Sequence, residues 1–181
     1  MKTVVLFKSK SGFTKRYASW ISEELHADLI DMTAKRVDVN TLLTYDTIIY
    51  GGGLYASGIH GVKFIIANAN KLTEKKLIVF ATGVAPARKD VVHEVRDKNI
   101  PSDLRDNVSF FYLRGGFDFT KLTPIDKILM TLLKWKITIK KRLKIKLVQD
   151  ENGMLAAYSM PVDYTRKRNI RQLVLTAEGQ G

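Results

Sequence analysis

The sequence predicts an α/β fold in which a parallel sheet is covered by helices on both faces. Three observations lead there. Short apolar, β-branched runs alternate with segments whose apolar residues recur at helical spacing. Strands joined in this way through helices form right-handed crossovers, and such strands lie parallel. Finally, three of the strands run into loops rich in glycine or hydroxyls, at 9–14, 51–58 and 82–86. Open α/β sheets bind ligands outside the carboxyl ends of their strands, so these loops are expected to converge on one edge.

The elements follow in order. Thr3–Phe7 reads as a buried first strand, and the helix after it spans 15–25, with apolar positions at Tyr17, Ala18, Ile21 and Leu25. Ala27–Asp31 is the second strand; residues 32–45 are polar and mixed, a loop with room for a short helix. Thr47–Tyr50 is a third strand leading into Gly51-Gly52-Gly53-Leu54-Tyr55-Ala56-Ser57-Gly58. Glycines at 51, 52, 53, 58 and 61 argue against a helix and against the interior of a central strand. A helix over 62–70 precedes the fourth strand, Lys76–Ala81, which ends in Thr82-Gly83-Val84-Ala85-Pro86. A helix over 87–99 leads to the fifth strand, Val108–Leu113, and a last helix is expected over 164–177 with Asp163 as its N-cap.

Ser9-Lys10-Ser11-Gly12-Phe13-Thr14 lies between a strand and a helix start. The unpaired N–H groups and the dipole of a first helical turn favour an anion there. Ser9, Ser11 and Thr14 bring hydroxyl donors, and Gly12 permits close backbone approach. The loop lacks the Gly-Lys-Ser/Thr ending of a Walker loop and the repeated glycines of a dinucleotide fingerprint.

Composition narrows the chemistry. With no cysteine among 181 residues, disulfides, thiolate chemistry and iron–sulfur ligation are excluded. His26, His60 and His93 are widely separated, so no metal site is expected. The N-terminus enters a strand directly, without the pattern of a signal peptide, and no apolar run approaches the roughly 20 residues of a spanning helix. The net charge of +12 favours an anionic partner.

The hexapeptide at 9–14 resembles the hydroxyl-x-hydroxyl-Gly-x-Thr phosphate loop of flavodoxins. Gly53-Leu54-Tyr55 is similar to their second flavin loop, and Thr82-Gly83-Val84 to the third. The resemblance implies a flavodoxin-like, doubly wound sheet of five parallel strands in the order 2-1-3-4-5, and a bound FMN. It assigns Ser9, Lys10, Ser11, Gly12, Phe13 and Thr14 to the phosphate side. It assigns Gly53, Leu54, Tyr55, Ala56, Thr82, Gly83 and Val84 to the ring side, with Tyr55 lying against the isoalloxazine. Residues 1–181 read as a single domain.

One segment departs from the simple pattern. Residues 117–150 follow the fifth strand as an insertion, and from Pro124 a helix is expected with Ile125, Ile128, Leu129, Leu132 and Leu133 on one face. Residues 121–147 hold nine Lys or Arg against one acid, Asp126, which is eight of the twelve net positive charges. A basic amphipathic helix with Trp135 near its end suits an anionic membrane surface; a helix covering the domain or a partner subunit has the same pattern. Nucleic acid ranks last, because no recognition motif accompanies the charge.

Phe117-Asp118-Phe119-Thr120-Lys121-Leu122 and the helix that follows resemble the insertion of menaquinone-dependent protoporphyrinogen IX dehydrogenases, as does Ala87-Arg88-Lys89 after the fourth strand. That resemblance implies an FMN oxidoreductase passing two reducing equivalents from a porphyrinogen to a quinone. It implies a cytoplasmic protein lying peripherally on the inner face of the cell membrane. A non-catalytic electron carrier docking partners through its basic face stands as the alternative, and an anion-binding module without flavin as a third reading. No residue is assigned as a general acid or base.

Overall fold

The computed structural model describes residues 1–55, 57–121, 124–143 and 161–180. Its sheet is built from β1 (Thr3–Lys8), β2 (Asp28–Asp31), β3 (Thr47–Tyr55), β5 (Lys76–Gly83) and β6 (Val108–Arg114), parallel and in the order β2-β1-β3-β5-β6. A two-residue strand, β4 (Gly58–Ile59), turns back antiparallel on the end of β3. Apart from that hairpin, the strand order is the expected 2-1-3-4-5.

Alternation along the strands sorts the core into two layers, as a sheet buried on both faces requires. Val4, Leu6, Ile48, Tyr50, Leu77 and Val79 face the layer that includes Leu42, Ile65 and Val95. These come from α2 (Val39–Leu42), α3 (Lys63–Asn68) and α4 (Lys89–Asn99). Their neighbours Val5, Phe7, Ile49, Ile78 and Phe80 face Tyr17, Ala18, Ile21, Leu173 and Ala177. The second set belongs to α1 (Phe13–Leu25) and the C-terminal helix α6 (Arg171–Glu178).

Three expectations are corrected. Gly51, Gly52 and Gly53 lie inside β3, a central strand, and pair with Phe80, Ala81 and Thr82 of β5. Neighbouring bulk explains the first two: a Cβ on Gly51 would stand 2.1 Å from the Phe80 ring, and one on Gly52 2.6 Å from Ile59 Cγ2. The helix after β1 begins at Phe13, two residues early, because Gly12 turns the chain at φ 90°. The last helical segment opens as a 3-10 turn over Lys167–Ile170 and becomes α-helical only at Arg171, so Asp163 does not cap it. Asp163 instead sits in a short strand and accepts hydrogen bonds from Thr165 N and Oγ1.

The insertion leaves and returns at one point. β7 (Gly116–Phe117) pairs antiparallel with β8 (Val162–Asp163), and Tyr164 N donates to Gly115 O at 2.9 Å. Between them α5 runs over Pro124–Arg142. Ile137 of α5 is buried, whereas Ile128, Leu132, Trp135 and Leu143 are more than half exposed. The side chains of Ile125, Leu129 and Leu133 lie outside the described residues, as do Ala56 and the basic residues at 144 and 146. No helix among the described residues is long and apolar enough to cross a membrane.

Candidate functional site

The three loops do meet, and Thr14 is where they touch. Its buried hydroxyl lies 2.6 Å from that of Thr82, so the first and third loops share a hydrogen bond. A Cβ on Gly53 would come within 3.4 Å of Thr14 Oγ1, which brings the second loop to the same spot. Of two paired hydroxyls one donates and one accepts, so the pair retains one further hydrogen to offer. Thr14 is therefore a linchpin among the loops as well as a phosphate-loop residue by sequence.

Around it, the first loop keeps the character of an anion site. Gly12 N donates to Ser9 Oγ at 3.1 Å, closing a tight turn, and Arg16 N donates to Gly12 O as the helix begins. No side chain caps α1, and its first turn carries no acid. A glycine with nothing within 4 Å of its would-be Cβ leaves the approach to that turn open. Ser11 is half-buried at the mouth of the loop, while Lys10 is exposed and reaches over the ring of Tyr55, 4.5 Å from its centroid. Phe13 faces inward instead: a Cβ on Gly116 would stand 2.5 Å from its ring, so Phe13 packs beneath the 115–116 backbone.

The second loop is a braced hairpin. Leu54 and Tyr55 pair with Ile59 and Gly58, and His60 N returns to Gly53 O at 2.9 Å. The buried Tyr50 hydroxyl donates to His60 O at 2.6 Å; burial pushes the Tyr50 pKa well above its ordinary value. Tyr55 meets His60 edge to face at 5.6 Å. From α4, Asn99 holds the turn at both sides, donating to Ser57 O and accepting from Ile59 N, each at 2.7 Å.

The third loop is tied to β6. Gly115 N donates to Gly83 O at 2.7 Å, Arg114 Nε to Val84 O at 3.1 Å and Tyr112 OH to Ala85 O at 3.0 Å. A Cβ on Gly83 would strike the Tyr112 hydroxyl at 2.4 Å and Leu54 at 3.0 Å, so glycine is required by packing. Arg16, one turn into α1, pairs with Asp163 and donates to Thr165 Oγ1 at 2.9 Å, fastening the insertion's root to the first loop's helix. Burial raises the Asp163 pKa, but hydrogen bonds from Thr165 and Arg16 outweigh it and hold the carboxyl below its usual range.

Sequence reasoning brought Ser9, Ser11, Gly12, Thr14, Gly53, Leu54, Tyr55, Thr82, Gly83 and Val84 to one region, and the structure gathers those loops. It missed Asn99, Arg114 and the Arg16–Asp163 pair. Only Arg114, standing directly before Gly115-Gly116 at a strand end, carried a sequence signal.

A doubly wound sheet of this order, with three loops meeting at its carboxyl edge around an uncapped helix start, defines a ligand-binding α/β domain. The chain matches the flavodoxin domain family over residues 4–144 and belongs to that family. It is 33% identical over 100 residues to an uncharacterized protein of Methanocaldococcus jannaschii, covering 54% of this chain and 65% of that one. The chain thus spans less than two thirds of that relative's length. Among solved structures, it is similar to two-electron reduced flavodoxin from Megasphaera elsdenii, at 15% identity and a TM-score of 0.45 over 61% of this chain and 84% of that chain. A flavoprotein of Lactobacillus acidophilus in complex with FMN aligns at 16% identity and a TM-score of 0.40, covering 62% and 91%.

Proposed function

We propose that the three loops bind FMN and that the protein is an FMN-dependent oxidoreductase. The observation that supports this most is the uncapped start of α1 meeting the other two loops at Thr14. The residues present suit the group. Backbone N–H donors at a helix start, with the hydroxyls of Ser9 and Ser11, suit a phosphate. Two loops braced by Asn99 and by Arg114 suit a flat ring. FMN, when bound, supplies acceptance and release of two reducing equivalents, while the protein contributes binding, orientation and charge. Lys10 is exposed and lies over one face of Tyr55, so a planar ligand on that face would meet its ammonium. Its ammonium then remains near the ring and favours a reduced, anionic form by Coulomb attraction.

The finer reading is a quinone-linked protoporphyrinogen dehydrogenase, with 1–181 acting as one domain. Its support is the sequence of the insertion, together with an insertion root bonded to the third loop through Gly115 and Gly83. The outward Ile128, Leu132 and Trp135 on a lysine-rich helix, with Leu143 just past its end, favour contact with an anionic membrane where quinone resides. The same exposed basic helix would serve an electron carrier docking an acidic protein partner. Turnover of a porphyrinogen with a quinone separates the two; electron relay between proteins without such turnover overturns the dehydrogenase reading.

Ser11→Ala tests the phosphate assignment. One hydrogen bond to a charged acceptor contributes roughly 1.5–3 kcal/mol, so FMN affinity is expected to fall about ten-fold or more. Riboflavin, which lacks the phosphate, is expected to bind the variant and the wild type alike. Equal losses for both ligands in a fluorescence titration would remove the phosphate from this loop.

A further inference from the structure

Beyond the loops, a cleft of about 470 Å³ opens between the end of β6 and the segment entering α6. That volume lies within the range of small-molecule pockets, about 300–1,000 Å³. Its cationic lining is Arg114, Arg166 and Arg168, and its apolar part includes Pro86, Leu113 and the ring of Tyr164. Among the described residues no carboxylate lines it, and no salt bridge engages any of the three arginines.

The cleft is held in shape. Tyr17, fully buried beneath it, donates its hydroxyl to Arg114 O at 2.7 Å and accepts from Asn169 Nδ2 at 2.8 Å and Arg166 N at 3.3 Å. One hydroxyl therefore pins both walls. Arg114 is itself oriented: Nε is anchored on Val84 O, and the guanidinium carbon stacks 3.6 Å from the centre of the Tyr164 ring. The terminal nitrogens of a guanidinium fixed in this way keep their donors for a ligand oxyanion. Arg166 and Arg168 stand exposed at the rim.

We propose that this cleft binds an organic carboxylate with an apolar ring body, its carboxylates on the arginines and its ring against Pro86, Leu113 and Tyr164. The wall shared with the third loop, through Val84 and Ala85, sets such a ligand beside the loops that take the flavin. The cleft is then the substrate subsite of the oxidoreductase, a placement that rests on the flavin reading, whereas the binding itself does not.

The test uses the full chain, with and without FMN, and naphthalene-2,6-dicarboxylate as probe, titrated calorimetrically. Its neutral dimethyl ester and inorganic phosphate serve as the other arms. The dicarboxylate is expected to bind at least ten-fold more tightly than either, and less tightly as salt rises. Arg166→Gln together with Arg168→Gln, both at exposed positions, is expected to weaken it at least ten-fold with an unchanged melting temperature. Arg114→Gln is expected to weaken it further. Undiminished binding in the double variant, or equal binding of the ester, overturns the proposal; phosphate binding as tightly as the dicarboxylate reassigns the cleft to phosphate and overturns it too. In the FMN-loaded protein the dicarboxylate is expected to perturb the flavin absorbance bands. Arginine-dependent binding with no such perturbation overturns the substrate placement alone. A chain that takes no FMN yet binds the dicarboxylate through its arginines overturns the flavin reading and leaves the carboxylate site standing.

Discussion

Gly51 shows at the scale of one residue how the site is made thin. The strand beneath the second loop passes so close to Phe80 that any side chain at 51 enters the fully buried ring. Gly51→Ala is expected to destabilise the fold by about 1–3 kcal/mol, the usual range for overpacking a filled core. Urea unfolding measures this, and a double variant with Phe80→Leu should lose less than the sum of the two single changes. A strictly additive result would mean that the glycine is there for another reason. Gly12 is glycine for a backbone reason, its φ of 90°, which strains any residue bearing a Cβ. Both are simply glycine in the sequence, yet one is required by its neighbours and the other by its own backbone conformation.

Among the elements, the β7–β8 ladder and the Arg16–Asp163 pair carry the insertion. Asp163 has a pKa lowered on folding, so it contributes stability that is fully present above its unfolded value of about 3.9 and is lost as pH falls through the folded value. Asp163→Asn is accordingly expected to lower the urea midpoint at neutral pH, and the gap to wild type should close on acidification. A gap that stays constant across that range would show that the pair contributes nothing through its charge. Both side chains are partly exposed, so the effect is modest. The helix α5 makes a separate expectation. Wild-type protein should bind anionic vesicles and leave them as salt rises, since basic residues near such a surface contribute about 1 kcal/mol each within a Debye length of about 8 Å at physiological salt. Leu132→Ser with Trp135→Ser should weaken vesicle binding strongly while FMN content is retained. Loss of FMN or of folding in that variant would make α5 a cover of the domain; full vesicle binding would redirect its exposed face to a protein partner.

For the molecule as a whole, the layers and the convergence of the loops were legible from the sequence because they follow from local patterns, whereas the strand order came from the resemblance of the loops to those of flavodoxins. β-Branched runs of period two, helical runs between them and the handedness of crossovers leave few arrangements open. The eight net positive charges of 121–147 were equally a matter of counting. What surrounds a residue from elsewhere in the chain left no such trace. Asn99 braces a loop some 40 positions earlier, and Tyr17 pins a cleft whose walls lie 97 and 152 positions away. Phe80 explains a glycine 29 residues before it. Local periodicity reports which face of an element is apolar, and so the sequence by itself determined the architecture and the edge where a ligand belongs. Hydrogen-bond partners and steric neighbours exist only once distant segments are packed, and so the tertiary structure alone decided that Thr14 joins the loops, that three glycines fit a central strand, and that three arginines share one cleft.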